Sequence, residues 1–237
     1  MAPMEPYRSA LGRAEASTRS AERAEFFWKT YQWMSLGLGL TGVVAYVVAS
    51  TPSLVQTFLM NRPLFFGLLI AELGMVWWFS SIAHRISFAK AAAMFLAYAV
   101  LNGITFSVLF LVYTEASIFQ VFLITGGSFA CLSLYGMVTK RDLSPIGQFL
   151  FFGLIGIIIS SLVNAFFVRS SGLSAIVSYA GVLVFAGLTA YDTQKLKNIY
   201  DARGEAGNLA LRGALTLYLD FINLFIFLLR ILGNQRR

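Results

Sequence analysis

Long apolar stretches free of charge, separated by short charged segments, constrain this 237-residue chain more than any other feature of its sequence. Charged residues make up only 12% of the chain, against roughly 25% in ordinary globular proteins. A helix of about 20 apolar residues crosses the hydrocarbon core of a bilayer. The pattern therefore predicts an all-α integral membrane protein with seven spans, at residues 28–50, 63–83, 88–112, 117–138, 146–168, 173–192 and 209–232.

The distribution of charge predicts the domain organisation and the orientation in the membrane. Residues 1–25 form a polar tail without the apolar core of a signal peptide, residues 26–233 form the membrane domain, and residues 234–237 form a short C-terminal tail. A cytoplasmic N-terminus would place twelve lysines and arginines in cytoplasmic segments and two in the outer loops before the last span. We therefore expect a cytoplasmic N-terminus, and the short chain without organelle signals favours a bacterial inner membrane. The net charge of +7 then reflects helix anchoring in the lipid bilayer rather than a nucleic-acid partner.

The course of the seventh segment is left open by these criteria. Its length favours a full span, which places Arg230, Arg236 and Arg237 on the outer side. Charge counting favours a re-entrant segment that returns these residues to the cytoplasm.

Several kinds of chemistry are excluded or disfavoured by residue types. Cys131 is the only cysteine and His84 the only histidine, which leaves no intrachain disulfide, thiolate metal site or His-rich zinc site. The dipeptide Tyr191-Asp192 resembles half of the signature of intramembrane aspartyl proteases, but the Gly-x-Gly-Asp half is missing. No GxSxG motif or phosphate-binding glycine motif occurs either. A function other than catalysis is therefore favoured, with an aspartyl protease as the least favoured alternative and no tightly bound cofactor.

Three acidic residues, Glu72, Asp192 and Asp220, lie within or at the edge of apolar spans. A charge at mid-bilayer costs about 2.5–3.5 kcal/mol on insertion scales, so such groups face a polar interior, become protonated or bind a cation. Carboxylate, amide and hydroxyl oxygens suit Ca²⁺ rather than zinc or copper. The sequence therefore predicts a weak, transient Ca²⁺ site that uses Asp192, Asp220 and Glu72, completed by water and backbone carbonyl groups.

Helical periodicity predicts which way Asp220 points. At 100° per residue, Asp220 shares one stripe of the seventh span with Thr216, Asn223, Phe227 and Arg230. A polar stripe on an otherwise apolar helix indicates burial inside a bundle, so the seventh helix should be central. For Thr216 and Asn223, simple interhelical hydrogen bonding is the favoured alternative to a functional role.

Four motifs carry a resemblance to a known family. The segments NGITFSVLF (102–110), SLYGMVTKRDLSPIG (133–147), LTAYDTQKLK (188–197) and LYLDFINLFIFLLRILG (217–233) occur in the order seen in the Bax inhibitor-1 family, the transmembrane Bax inhibitor motif proteins. The resemblance covers residues 28–233. It implies seven transmembrane helices, with six surrounding a central seventh, and no enzyme activity.

The resemblance also implies a function. Bacterial members of this kind resemble pH-sensitive Ca²⁺ leak channels, in which protons are the regulator and Ca²⁺ the permeating ion. Their gate is a hydrogen-bonded aspartate pair on helices six and seven, which matches Asp192 and Asp220. A glutamate on helix two matches Glu72, and Thr216 and Asn223 are the further pore candidates. A latch arginine lacks a clean match, since Ala83 stands nearest to its place, and Arg85 and Arg230 are the latch candidates.

The positions of the two aspartates along their spans limit how they can meet. Asp192 stands at the end of the sixth predicted span and Asp220 in the middle of the seventh, so they can meet only if helix six starts later or tilts, or if helix seven starts deep.

The alternative function is a regulator that transports nothing and binds a membrane protease or another stress-response partner.

Overall fold

The computed structural model describes residues 5–205 and 208–236, with side chains from residue 17 onward. Within these residues, seven helices are long and apolar enough to cross a membrane. This confirms the prediction of an all-α integral membrane protein. We label the helices α1 (Glu5–Ser50), α2 (Arg62–Ile82), α3 (Phe88–Val112), α4 (Glu115–Val138), α5 (Ser144–Val163), α6 (Ser171–Arg203) and α7 (Leu209–Leu232). Short helical segments, Pro52–Leu54 and Val55–Leu59, join α1 to α2, and Asn164–Val168 extends α5 as a π-helix.

Polar side chains define where several helices begin. The side chains of Asn61, Thr114 and Ser170 precede α2, α4 and α6 and accept hydrogen bonds from backbone N–H groups of the first turn. These caps satisfy donors that the helix itself leaves unpaired. The breaks read from the sequence therefore coincide with helix ends that have a local chemical cause.

The sixth helix is longer than the sequence pattern predicts. We expected the span to end at residue 192 and a charged loop to follow, but α6 continues to Arg203 and ends at Gly204, which has a φ of 64°. The extension is held by the N-terminal part of α1, where Phe26 stacks on Tyr200 with ring centroids 4.5 Å apart. Arg23 of α1 also pairs with Asp201 at 3.3 Å. The hydropathy pattern ended the predicted span at residue 192 because the residues that follow are more polar. These residues nevertheless continue the helix as far as Arg203.

Helix α7 is the central helix of the bundle. In its most apolar segment 56% of the residues are buried, against 6% in α2 and in the segment that contains α5. It packs against α1, α3, α4 and α6. The peripheral helices α2 and α5 instead expose large side chains, including Trp77, Phe149 and Phe152, as expected where a helix meets lipid. The prediction of a central seventh helix is confirmed.

Contacts at its two ends show that α7 crosses the whole bundle. Before its first residue, Asn208 Nδ2 donates to the carbonyl groups of Ala83 and Ile86 at 2.7 and 2.9 Å, just ahead of α3. After its last residue, Thr114 N–H donates to Asn234 O at 3.0 Å, just beyond α3. Because α7 thus reaches both ends of the 25-residue helix α3, it spans fully rather than re-entering.

The two ends of the bundle differ in charge. We call the end with the connections 83–87, 139–143 and 204–208 the basic end, and the end with residues 113–114 and 233–236 the opposite end. Eight lysines and arginines lie in or beside the basic-end connections: Arg85, Lys90, Lys140, Arg141, Lys195, Lys197, Arg203 and Arg212. The opposite end has four, Arg62, Arg169, Arg230 and Arg236, and there Arg236 pairs with Glu115 at 3.2 Å.

Candidate functional site

Asp192 and Asp220 lie at the same depth of the bundle. Asp192 is eleven residues before the end of α6 at Arg203, and Asp220 is eleven residues after the start of α7 at Leu209. The two helices are antiparallel neighbours joined by a short connection, so equal distances along the chain give equal depth, about 16 Å from the connection at 1.5 Å per residue. The longer α6 thus removes the difference in depth that the sequence implied.

Asp220 is the more deeply buried member of the pair. Its side chain belongs to the buried set of α7, with 4% of the residue exposed. Its Oδ2 atom has no hydrogen-bond partner among the described residues. The charge of Asp192 acts on it across the α6–α7 contact. A buried carboxylate oxygen without a donor is expensive to keep as an anion, so the pair is suited to hold a shared proton.

Asp192 faces a cavity that leads from the basic end towards Asp220. The cavity has a volume of about 150 Å³, and its lining on α7 runs from Leu209, the first residue of the helix, to Leu219, the neighbour of Asp220. Asp192 lines it from α6 and is only partly buried. Water and small ions could therefore approach Asp192 from the basic end, whereas Asp220 is buried and does not line the cavity.

Two cations beside this cavity were missed by the sequence analysis. Lys195 and Arg212 both line it, and the charge of Lys195 acts on Asp192. The signal was present in the spacing. Lys195 is three residues after Asp192, and Arg212 is four residues before Thr216, which extends the Asp220 stripe by one turn.

A chain of hydroxyl groups joins three helices next to Asp192. Tyr31 Oη of α1 is hydrogen-bonded to Ser133 Oγ of α4. Ser133 Oγ in turn lies 3.0 Å from Thr193 Oγ1 of α6. One turn further along α4, Gly136 packs directly against the backbone carbonyl group of Ala190, which lets the two helices approach closely. This polar contact fixes the position of the α6 turn that carries Asp192, and the sequence analysis did not identify it.

The remaining members of the predicted stripe bond within their own helix. Thr216 Oγ1 donates to Arg212 O at 3.1 Å, and Asn223 Nδ2 donates to Leu219 O at 2.8 Å. Their side-chain donors therefore serve the α7 backbone rather than a second helix. Phe227 is buried, as the stripe predicts.

Glu72 is not brought to the aspartate pair. Thr105 Oγ1 of α3 donates to Glu72 Oε1 at 2.6 Å, and the charge of Glu72 acts on Tyr98 and Tyr218. Tyr218 Oη in turn lies 2.7 Å from Thr41 Oγ1 of α1. Glu72 thus belongs to a second polar cluster between α1, α2, α3 and α7. In the described part of the chain, no three acidic, histidine or cysteine side chains are grouped as they would be around a metal ion.

Neither candidate latch arginine contacts a carboxylate. Arg85 is exposed, and its Nε donates to His84 Nε2 at 2.9 Å. Arg230 lies over the Phe227 ring, with the guanidinium carbon 5.4 Å from the ring centroid. Neither forms an ion pair with any described residue. Among the described residues, the cations that line the cavity beside Asp192 are Lys195 and Arg212.

Comparisons with known proteins agree with this architecture. The family model described as "Inhibitor of apoptosis-promoting Bax1" matches residues 23–237. The inner membrane protein YbhL of Escherichia coli K12 is 48% identical over 214 residues, which cover 88% of this chain and 91% of YbhL. An uncharacterised protein of Deinococcus radiodurans is 45% identical over 215 residues, 89% of this chain and 90% of its own length. The uncharacterised protein RP147 of Rickettsia prowazekii is 44% identical over 216 residues, with the same coverage of 89% and 90%. On the strength of these matches over nearly the whole membrane domain, the chain belongs to the Bax inhibitor-1 family.

Proposed function

We propose that the protein is a pH-sensitive Ca²⁺ leak channel whose gate is a proton-sharing pair, Asp192 and Asp220. The observation that carries the proposal is the buried Oδ2 atom of Asp220, which lacks a hydrogen-bond partner among the described residues while Asp192 stands at the same depth on the neighbouring helix α6. A structural polar residue would have a donor at this position. A carboxyl group that gains and loses a proton as part of its function would not need such a donor.

The number of protons on the pair sets the contact between α6 and α7. With one shared proton, a hydrogen bond between the two carboxyl groups holds α7 against α6. Loss of that proton leaves two negative carboxylates side by side. Binding of a second proton neutralises the remaining carboxylate, which had accepted the hydrogen bond. Either change alters the α6–α7 contact, and a shift between two conformations requires a difference of only a few kcal/mol.

Three charged or titratable groups near the pair modulate this equilibrium. Lys195 acts on Asp192 from the same helix, and Arg212 lines the cavity from α7. Tyr31 reaches the adjacent turn of α6 from α1, through Ser133 and Thr193. The pair therefore titrates as part of a small network rather than as two isolated carboxyl groups.

Ca²⁺ is the ion that suits the oxygen donors of the pair. A hard cation can bind carboxylate oxygens, backbone carbonyl groups and water. Two carboxylates are too few for a tight site, which is appropriate for an ion that must bind and leave. In this proposal Asp192 and Asp220 form the transient site. Glu72, which is bonded to Thr105, stands outside it.

The orientation and location follow from charge and from relatives. The basic end faces the cytoplasm under the positive-inside rule, and the N-terminus lies on the same side. The proposed membrane is the bacterial inner membrane, because the similar E. coli protein YbhL is an inner membrane protein.

The decisive experiment compares the wild type with Asp220→Asn in liposomes loaded with a Ca²⁺ dye, across a range of pH. Asparagine has the shape of aspartate but cannot titrate, so Ca²⁺ flux through the variant should lose its dependence on pH. Glu115→Gln is the matched control, because it removes an exposed carboxylate at the opposite end and should leave flux and its pH response unchanged.

Other outcomes point to other functions. The same pH response in Asp220→Asn and in the wild type would contradict the proton-sharing gate. Absence of flux through the wild type would favour the regulator that binds a membrane protease or another stress-response partner. Cleavage of transmembrane peptides by the wild type, lost in Asp192→Ala, would show an intramembrane aspartyl protease instead.

A further inference from the structure

A second, larger cavity opens at the basic end beside the one that reaches Asp192. It has a volume of about 510 Å³ and is lined by Lys195, Arg203 and Arg212, together with polar groups that include Ser144 and Asn198. Lys195 and Arg212 line both cavities. The two positive side chains therefore stand where the large cavity meets the smaller one.

No described carboxylate lines the larger cavity, although acidic residues are nearby. Asp201 pairs with Arg23 at 3.3 Å, and Glu205 lies 3.8 Å from Lys29. Asp142 Oδ1 accepts a hydrogen bond from the Ser144 N–H group at 2.9 Å. Apart from Asp192 in the adjoining cavity, these acids have other partners, and Lys195, Arg203 and Arg212 form no ion pair within the described residues.

Helix ends add to the positive potential of this cavity. Ser144 is the first residue of α5, and Arg212 lies in the first turn of α7. The N-terminus of a helix carries a partial positive charge, so Arg212 stands where a cation is disfavoured and an anion is favoured. The cavity thus has three full positive charges and the first turns of two helices, α5 and α7, against one C-terminal turn, that of α6, which Arg203 neutralises.

We propose that the cavity lined by Lys195, Arg203 and Arg212 binds a phosphate-bearing anion, which offsets the positive charge between the bundle surface and Asp192. Guanidinium groups bind phosphate oxygens through paired hydrogen bonds, and an ammonium group adds a further donor. Basic cavities between helices on the cytoplasmic side of a membrane suit anionic lipid headgroups, and a free phosphate ion presents the same chemistry.

The bound anion has a consequence for the gate, and this part rests on the proposed Ca²⁺ leak function. Lys195 and Arg212 repel a cation that approaches Asp192 from the basic end. An anion beside them lowers this repulsion and weakens the influence of Lys195 on Asp192. Occupancy of the larger cavity therefore increases Ca²⁺ flux through the smaller one.

The binding test compares two sources of phosphate by thermal unfolding of the full-length protein. One arm uses nanodiscs of phosphatidylcholine with and without phosphatidylglycerol. The other titrates inorganic phosphate into phosphatidylcholine nanodiscs. A ligand that binds the folded state raises the unfolding midpoint, so the arm that raises it identifies the source. We expect the double variant Arg203→Gln/Arg212→Gln to lose this rise, with apparent affinity falling about tenfold for each cation removed.

The matched control is Lys140→Gln, which removes one positive charge from the same end of the bundle at an exposed position outside the cavity lining. It should keep the full rise in midpoint. The proposal is overturned if neither phosphate source raises the midpoint of the wild type, or if the double variant shows the same rise as the wild type.

Flux is measured separately with the same lipids, so the two proposals can fail independently. Ca²⁺ flux through the wild type should increase with the anion that binds, and flux through the double variant should not respond to it. Binding without any flux would contradict the leak function and leave the anion site standing. Flux that ignores a bound anion would overturn the regulatory part of this inference.

Discussion

Two acidic side chains within the spans of this protein have opposite surroundings. Glu72 lies on the peripheral helix α2, is only partly buried and accepts a hydrogen bond of 2.6 Å from Thr105. Asp220 lies on the central helix α7, is buried, and has an oxygen with no partner in the described part of the chain. The more deeply buried acid therefore has the less complete hydrogen bonding.

The comparison shows that the partner, rather than depth alone, separates a structural acid from a candidate switch. The hydrogen bond of Glu72 depends on a hydroxyl group that always carries a proton. Asp220 instead shares its depth with another carboxyl group, Asp192 of the neighbouring helix, so in the proposed pair its hydrogen bonding depends on how many protons the pair holds. Protonation can thus reorganise the surroundings of Asp220 without changing those of Glu72.

The largest effect is expected where the backbone approach beside Asp192 is closest. A Cβ atom at Gly136 would collide with the backbone carbonyl group of Ala190, which cannot move without shifting α6. We expect Gly136→Ala to cost about 3 kcal/mol of unfolding free energy, the upper range for overpacking, measured by unfolding in detergent micelles. In the cluster around Glu72, a Cβ atom at Gly103 would meet Val44 Cβ at 2.6 Å and the backbone carbonyl oxygen of Thr41 at 2.9 Å, so Gly103→Ala should cost about 2 kcal/mol, less than at Gly136, where the clash is closer.

Gly127, on the same helix as Gly136, is the control for both substitutions. A Cβ atom at Gly127 meets no atom of the described chain within 4 Å. Gly127→Ala should therefore be neutral, or should stabilise the protein by about 0.5–1 kcal/mol through a better helix propensity. Similar unfolding midpoints for the alanine variants at positions 136 and 127 would contradict the close approach of α4 and α6.

The sequence predicted the membrane architecture because a helix that crosses a bilayer requires a long run of apolar residues, which is visible in the sequence. Each apolar run became a helix, and the polar stripe at Thr216 and Asp220 correctly placed α7 at the centre. The predicted end of the sixth helix was wrong. Residues 193–203 remain helical because they pack on α1 through contacts such as that of Phe26 with Tyr200, and a hydropathy pattern does not record such contacts. The path of α7 was decided by hydrogen bonds of residues 208 and 234 to the two ends of α3.

The candidate site could be predicted only in part, for a related reason. Periodicity within one helix shows which side chains share a face, and it placed Asp220 inward. It does not show which helix lies opposite that face. Glu72 was therefore grouped with the aspartates, although the structure pairs it with Thr105, and the cations Lys195 and Arg212 were overlooked in favour of Arg85 and Arg230.

A smaller effect is expected when the donor of Glu72 is removed. The hydroxyl proton of Thr105 has two acceptors, Glu72 Oε1 at 2.6 Å and Asn102 O at 3.0 Å, and the charged acceptor forms the stronger bond. Thr105→Val keeps the shape but leaves the carboxylate without this donor. We expect it to lose about 1–2 kcal/mol of unfolding free energy in micelles.

Two further variants sharpen this measurement. Thr105→Ser retains the hydroxyl group and should recover most of the loss. Asp220→Asn removes a buried charge rather than a donor, so it should be neutral or stabilising. The contrast between Glu72 and Asp220 fails if Thr105→Val is harmless, or if Asp220→Asn destabilises the protein as much as Thr105→Val does.

The smallest effect is expected at Asp142, which lies between α4 and α5. Its carboxylate accepts a hydrogen bond but is exposed rather than buried. The Ser144 N–H group donates to its carboxylate and holds the pKa of Asp142 below its ordinary value. A lowered pKa stabilises the fold at pH above the unfolded value of about 3.9, and this contribution is lost as the pH falls through the folded value. Between about pH 6 and pH 3, the unfolding midpoint of the wild type should therefore fall slightly further than that of Asp142→Asn, which cannot titrate. An equal fall in both proteins would show that a donor without burial contributes nothing measurable, and that burial is needed before a hydrogen bond to an acid affects stability.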